Sequence, residues 1–112
     1  MPITISRGKT DEVLDRIKAV LAVYDRDHPG ARIDLYRQSP ASIRIRIIDP
    51  SFEGMERSQR NDLVWDILDR LPDDDQADVS MLVLLTPDET SRSFANFEFE
   101  DPVPMELFGP RT

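Results

Sequence analysis

Residues 52–65, Phe-Glu-Gly-Met-Glu-Arg-Ser-Gln-Arg-Asn-Asp-Leu-Val-Trp, constrain the fold most, because one short turn here leads a strand directly into a helix. Before this segment, residues 43–47 alternate isoleucine with arginine, which predicts a strand with one buried face. In the turn, we expect Gly54 to adopt a positive φ angle or a close backbone approach, and Phe52 to fill the core. The apolar residues that follow recur at helical spacing; they are Leu63, Val64, Ile67, Leu68 and Leu71.

Composition narrows the class of protein. At 112 residues the chain has the length of a single domain, residues 1–112, and the absence of cysteine excludes disulfide bonds, thiolate metal sites and a cysteine nucleophile. Its 22 acidic and 14 basic residues give a net charge of −8, which disfavours nucleic acid as a partner. No apolar run approaches the roughly 20 residues of a membrane helix, and the first five residues lack the apolar core of a signal peptide. We therefore expect a cytoplasmic protein without a membrane segment.

The N-terminal half predicts a helix followed by a hairpin. Thr10 is the predicted N-cap of the helix, and the sequence His-Pro-Gly at 28–30 is predicted to end it. Ile3, with Ile5, predicts either a short edge strand or a tether, and we favour the tether. A strand over about residues 31–37 is predicted to turn back into the isoleucine strand. The helix carries an apolar stripe made of Val13, Leu14, Ile17, Val20, Leu21 and Tyr24.

The C-terminal half predicts a third strand of the core. The run from Val79 to Leu85 is apolar on both faces, which is typical of a central strand covered on both sides. Residues 72–75, a proline and three aspartates, predict a solvated acidic break ahead of it. Residues 86–89 have the form of a capping box, which predicts a short helix. Residues 97–100 then alternate phenylalanine with glutamate.

The candidate catalytic and metal-binding residues each have a structural explanation. His28, the only histidine, stands where it can cap the last carbonyls of the first helix. Asp62, Asp66 and Asp69 fall on the helix face opposite the apolar stripe, and carboxylates on such a face diverge. The aspartates at 73–75 lack the glycine and the distal glutamate of a calcium loop. We therefore predict no enzymatic activity, no metal site and no cofactor.

The central segment resembles the signature of the BolA-like family, small proteins with a KH-like α/β fold. The resemblance covers about residues 11–90, and the predicted element order of helix, strand, strand, helix and strand agrees with the family. It implies an α+β core with helices on one face of a mixed sheet of three or four strands, and leaves residues 91–112 as a C-terminal extension. The matching positions are Phe52, Glu53, Gly54, Arg57, Gln59, Arg60, Leu63, Val64 and Trp65.

One position departs from the family pattern and bears on the activity that the resemblance implies. The family carries a metal-site histidine directly after the Gln-Arg pair, where this chain has Asn61, whose amide is a weak ligand. The second family ligand, a cysteine or histidine between the first two strands, has no counterpart in residues 38–42. We therefore expect the family's iron-sulfur partnership with monothiol glutaredoxins to be lost.

The first functional hypothesis is a non-enzymatic protein-interaction or adaptor module, which binds another protein or forms a homodimer. It follows from the large apolar side chains of the last third of the chain, because monomers rarely leave such a surface in water. We expect Leu82 and Leu84 on the open face of the sheet. The candidate partner surface consists of Trp65, Leu82, Leu84, Phe97 and Phe99.

The alternative hypothesis is a KH-like nucleic-acid-binding protein. KH domains clamp a nucleic-acid backbone with a Gly-x-x-Gly loop, whereas the corresponding turn here holds one glycine. The two hypotheses differ in whether the candidate basic residues form one contiguous patch. These residues are Arg44, Arg46, Arg57 and Arg60.

Overall fold

The computed structural model describes residues 3–100, which form four strands and four helices. The predicted α+β order of helix, strand, strand, helix and strand is confirmed, with one further strand before it and two further helices. Within this part of the chain, no helix is long and apolar enough to cross a membrane. The strands are Ile3–Arg7 (β1), Arg32–Ser39 (β2), Ser42–Ile48 (β3) and Val79–Leu85 (β4). The helices are Glu12–Asp27 (α1), Arg57–Leu68 (α2), Asp73–Asp78 (α3) and Phe94–Glu100 (α4).

The strands form one mixed sheet in the spatial order β1-β2-β3-β4. β2 and β3 form an antiparallel hairpin, while β1 pairs with β2 and β3 pairs with β4 in parallel. The two parallel pairs are connected through helices, α1 in the first and α2 with α3 in the second. Among the described residues, β1 and β4 are therefore the two edges of the sheet.

The main core lies between α1, α2 and one face of the sheet. The turn that enters α2 closes this core, because Phe52 is fully buried there. Gly54 has a φ angle of +81°, which glycine adopts without the strain of a side chain, so the predicted role of this turn is confirmed. The fully buried members include Leu14, Ile17, Leu21, Tyr24, Ile33, Leu35, Ile43, Ile45, Ile47, Val64 and Leu68.

The opposite face of the sheet is covered by α4. Phe99 meets the ring of Tyr36 edge-on, with ring centroids 5.0 Å apart, and the Tyr36 hydroxyl donates to the Phe99 carbonyl oxygen at 2.9 Å. Arg46, only 3% exposed, lies under the Phe99 ring and donates to Asp34 at 2.7 Å and to Glu100 at 2.8 Å. A small apolar contact and buried ion pairs therefore hold this face together.

The first residues of the described chain form a strand, so the prediction of a tether was wrong. Ile3 and Ile5 pair in parallel with Ile33 and Leu35 of β2 and pack against the main core. A pattern of two alternating isoleucines is too short to distinguish a strand from a tether. The pairing with β2 shows that this segment is a strand.

The N-cap of α1 is Asp11, so the prediction of Thr10 was wrong by one residue. The Asp11 carboxylate accepts the Leu14 backbone N–H at 2.9 Å and the Arg37 side chain at 2.6 Å. The hydrogen bond from Arg37 holds the pKa of this carboxyl below its ordinary value. A contact with β2 thus selects between two residues that both cap helices well.

The aspartate-rich segment is helical, so the prediction of a solvated acidic break at 72–75 was wrong. Asp75 is 3% exposed and accepts from Arg16 Nε at 2.6 Å and Nη2 at 3.0 Å. The hydrogen bond from Arg16 lowers the pKa of Asp75. Arg16 belongs to α1, far away in sequence, so the local composition contained no sign of this pair.

β4 is an edge strand and not the predicted central one. Leu84 belongs to the main core with Leu82 packed against it, whereas Val83 lies on the α4 side with Met81 and Leu85. The predicted placement of Leu82 and Leu84 on the open face was therefore wrong. A strand that is apolar on both faces gives no periodic signal for which face meets which layer.

The Phe-Glu alternation at 97–100 belongs to α4 and not to a strand. The buried residues of this helix are Asn96 and Phe99, three positions apart on one side of the helix. The predicted short helix after the capping box is confirmed as a 3-10 turn at Pro87–Ser91. Residues 101–112 of the C-terminal extension lie outside the described residues.

Candidate functional site

A groove of about 800 Å³ runs along the outer edge of β4. Its walls come from the turn and first residues of α2 on one side and from the start of α4 on the other. The Phe94 side chain at this rim is 89% exposed. The lining residues are Met55, Glu56, Arg57, Arg60, Asn61, Leu82, Val83, Leu84, Leu85, Glu89, Arg92, Ser93, Phe94 and Ala95.

The backbone of β4 presents hydrogen-bonding groups to this groove. The groups of a strand alternate in direction, and the Leu85 carbonyl faces β3, where it accepts the Asp49 N–H at 2.8 Å. The groups of Leu84 and Leu82 therefore point outward. The Leu84 carbonyl accepts from Arg60 Nη1 at 3.0 Å. Within residues 3–100, the outward N–H and C=O of Leu82 have no such partner, so this edge can accept another strand.

Arg60 closes the end of the groove that lies next to Leu84. It is 8% exposed, and besides Leu84 it donates to the carbonyls of Phe52 at 3.1 Å and Met55 at 3.2 Å. Its guanidinium also lies over the Phe52 ring, 5.5 Å from the centroid. These contacts bury the Arg60 side chain and connect the turn before α2 to β4.

Glu89 completes the Arg60 arrangement. Its Oε1 accepts from Arg60 Nη1 at 2.7 Å and from the Thr86 backbone N–H at 3.0 Å, which is part of the predicted capping box. The hydrogen bonds from Arg60 and then from Thr86 lower the pKa of Glu89 to about 2. Arg60 and Glu89 therefore form a neutral pair that leaves no charge for a ligand.

Two other arginines at the groove have no such partner. Arg57 comes from the start of α2 and Arg92 from the turn before α4, and neither side chain has an ion pair or hydrogen bond with any residue from 3 to 100. Counting the lining residues, three arginines face two glutamates, Glu56 and Glu89, which gives the groove a net charge of +1. In a chain of net charge −8, this is a local reversal of sign.

The four candidate basic residues do not form one patch. Arg44 and Arg46 lie under α4, where Arg44 donates to Glu98 at 2.9 Å and Arg46 is buried with Asp34. Arg60 lies on the other side of the sheet with Glu89. Arg57 is exposed by itself at the groove. Three of the four, Arg44, Arg46 and Arg60, therefore pair with carboxylates of the described chain.

The candidate partner surface is divided between three places. Leu82 and Leu84 reach the groove, although they face the main core. Trp65 is half-buried against that core. On the other face, Phe99 is buried under α4 while Phe97 stays 49% exposed. The sequence reasoning missed Met55 and Arg92 as groove residues, because neither belongs to a periodic pattern.

The remaining chemistry candidates have structural roles. His28 is the C-cap of α1, its ring stacked on Tyr24 with its Nδ1 3.0 Å from the Tyr24 carbonyl oxygen, as predicted. Asp62 and Asp66 on α2, and Asp69 at its C-cap, are exposed. Over the range 3–100, no three His, Asp or Glu side chains gather in an arrangement that could hold a metal ion.

Comparison of this chain with protein families, with curated proteins and with solved structures gives no match.

Proposed function

We propose that this chain is a non-enzymatic protein-interaction module that holds its partner in the groove beside β4. The observation that carries the proposal is the coincidence of an exposed phenylalanine, Phe94, with an outward-facing strand edge in one groove. Exposed apolar surface of this kind marks interaction sites, and a strand edge is a template for another chain. The partner is either a different protein or a second copy of this one.

The resemblance to the BolA-like family supports a divergent relative without iron-sulfur ligation. The signature positions have structural roles, since Phe52 fills the core, Gly54 turns the chain and Arg60 ties that turn to β4. Asn61, at the position of the family histidine, lines the groove, and its side-chain amide is only a weak metal ligand. The absence of cysteine suits a reducing compartment, and we place the module in the cytoplasm.

The distribution of arginines favours a protein partner over nucleic acid. A phosphate backbone at Arg44, Arg46 or Arg60 would have to displace Glu98, Asp34 or Glu89. These pairs lie on two faces of the sheet, so no continuous track for a backbone connects them, and the overall charge of −8 repels polyanions.

Photocrosslinking tests the proposal. A photoreactive phenylalanine analogue replaces Phe94 in the full chain, and a matched variant carries it at Ala22, an exposed α1 residue outside the groove. After irradiation in native lysate, we expect a discrete adduct from position 94 that excess unlabelled protein suppresses, and none from position 22. The same adducts from both positions, or none from either, would remove the groove as an interaction site.

A further inference from the structure

We infer that the β4 groove receives an extended, acidic peptide segment of a partner protein, which adds to the sheet as a fifth strand. This inference rests on the proposed function and names the binding mode and the chemistry of the partner. Three features carry it: the outward backbone groups of β4, the apolar walls of the groove, and the two arginines that form no ion pair with residues 3–100.

The backbone defines the length and position of the added strand. Leu82 offers both its N–H and its C=O, and by the same alternation the Leu84 N–H also faces outward, whereas the register shift at Ser80 ends the regular edge at the other side. The Leu84 carbonyl is taken by Arg60, which ends the available edge. A short extended peptide therefore completes the accessible ladder between these two limits, and it gains main-chain hydrogen bonds that any sequence can make.

The side chains of the groove define which peptide fits. Alternate residues of an added strand point to opposite faces, one set toward Met55 and Leu82 and the other toward Phe94. Each set also has a cation, because Arg57 belongs to α2 on the first face and Arg92 precedes α4 on the second. Apolar residues mixed with aspartate or glutamate match these walls on both faces.

The charge of the groove favours an acidic segment over a second copy of this chain. A second copy that pairs β4 with β4 would bring two grooves of net charge +1 together, with Arg57 and Arg92 of each copy at one interface. An acidic segment instead brings carboxylates to Arg57 and to Arg92; within residues 3–100, Glu89 attracts Arg92 without an ion-pair contact, because its carboxylate is hydrogen-bonded to Arg60. The attraction between these arginines and the carboxylates acts locally, within the groove, and added salt weakens it.

The test uses a fluorescent octapeptide, Glu-Thr-Val-Glu-Leu-Thr-Val-Glu, with the full chain. We expect saturable binding by fluorescence anisotropy, weakened on the order of fivefold or more when glutamine replaces every glutamate in the peptide. The double variant Arg57→Gln with Arg92→Gln should lose a similar factor toward the acidic peptide and nothing toward the glutamine peptide. Equal affinity for the two peptides would overturn the acidic chemistry.

Backbone methylation tests the strand addition. Only one edge of an added strand faces β4, so N-methyl groups at every second residue should abolish binding in one alternating set and spare it in the other. Tolerance of both sets, or loss with both, contradicts strand addition.

Two further results would identify a different occupant of the groove. If the peptide binds more tightly to a variant that ends at Glu100, the chain's own residues 101–112 compete for the groove. If sedimentation shows that the wild type is a dimer and that Phe94→Ser is a monomer, a second copy of the chain occupies the groove. Either result overturns the inference.

The outcomes separate this inference from the proposed function. Failure of the octapeptide to bind, together with a specific adduct from position 94, keeps the interaction site and removes the acidic extended partner. Failure of both measurements removes the site itself.

Discussion

The two faces of the sheet are built in different ways. The face under α1 and α2 buries apolar side chains completely, and the turn at Phe52 and Gly54 closes it. The face under α4 buries Arg46 and Asp34 as an ion pair and has Phe99 as its main apolar contact. Apolar burial gains free energy from every contact, whereas a buried ion pair first loses the hydration of both charges. The first face therefore holds the fold together, and the second holds one short helix in place.

Truncation of one phenylalanine on each face gives the largest expected effect. Phe52→Ala should lower the free energy of unfolding by about 3–5 kcal/mol, because a fully buried ring leaves a cavity. Phe99→Ala should cost about 1–2 kcal/mol, because α4 can detach without opening the main core. Urea unfolding of both variants measures the difference. Equal losses would show that the two faces are one cooperative core.

Removing the buried charge of the α4 face should be nearly as costly. Arg46→Met leaves the Asp34 carboxylate buried with only the exposed Arg32 at 3.3 Å, and we expect a loss of about 3 kcal/mol. The double variant Asp34→Leu with Arg46→Met should recover most of that loss, since it removes both charges. No recovery in the double variant would mean that Arg46 stabilises this face by packing and not by pairing.

The turn on the main core should respond to backbone strain alone. Gly54→Ala should cost about 1–2 kcal/mol, because a side chain is disfavoured at a φ angle of +81° although no atom lies within 4 Å of the new Cβ. Gly30→Ala is the matched control, since its new Cβ would lie 3.9 Å from Pro50 and the backbone there is not strained. Thermal melting should separate the two, and equal shifts would remove the conformational role of Gly54.

The Arg60–Glu89 pair at the groove should give the smallest effect, visible as pH dependence. The pKa of Glu89 is lowered from 4.5 to about 2, so its stabilisation is complete above about pH 4.5 and disappears as the pH falls toward 2. Glu89→Gln should cost about 1 kcal/mol at pH 7 and nothing near pH 2. Asp66→Asn, on the exposed face of α2, is the control. A constant difference between wild type and Glu89→Gln across this range would exclude the pair as its source.

The sequence predicted the parts of the fold that depend on local pattern. Phe52, Gly54 and the cap at His28 follow from spacing and turn chemistry. The face and position of β4 could not be predicted, because a run that is apolar on both sides looks the same in the centre and at the edge of a sheet. The pairs of Asp75 with Arg16 and of Asp34 with Arg46 join different elements, and composition does not show them.

The groove was only partly accessible to sequence reasoning for the same reason. Leu82 and Leu84 were identified as candidate partner residues, but their connection to the groove depends on the edge position of β4. Arg57 and Arg60 appear alike in the sequence, three residues apart on one helix. The fold separates them, because Arg60 donates hydrogen bonds to Glu89 and to three backbone carbonyls, whereas Arg57 stays exposed at the rim of the groove.

Amide hydrogen exchange of β4 tests the open edge most directly. The Val83 N–H points toward β3 and the Leu82 N–H points into the groove. We predict that in the full chain the Leu82 amide exchanges at least about a hundredfold faster than the Val83 amide, and that the acidic octapeptide slows the outward amides of Leu82 and Leu84 and leaves Val83 unchanged. Equal protection of the two amides in the free protein would contradict an edge that is open to a partner.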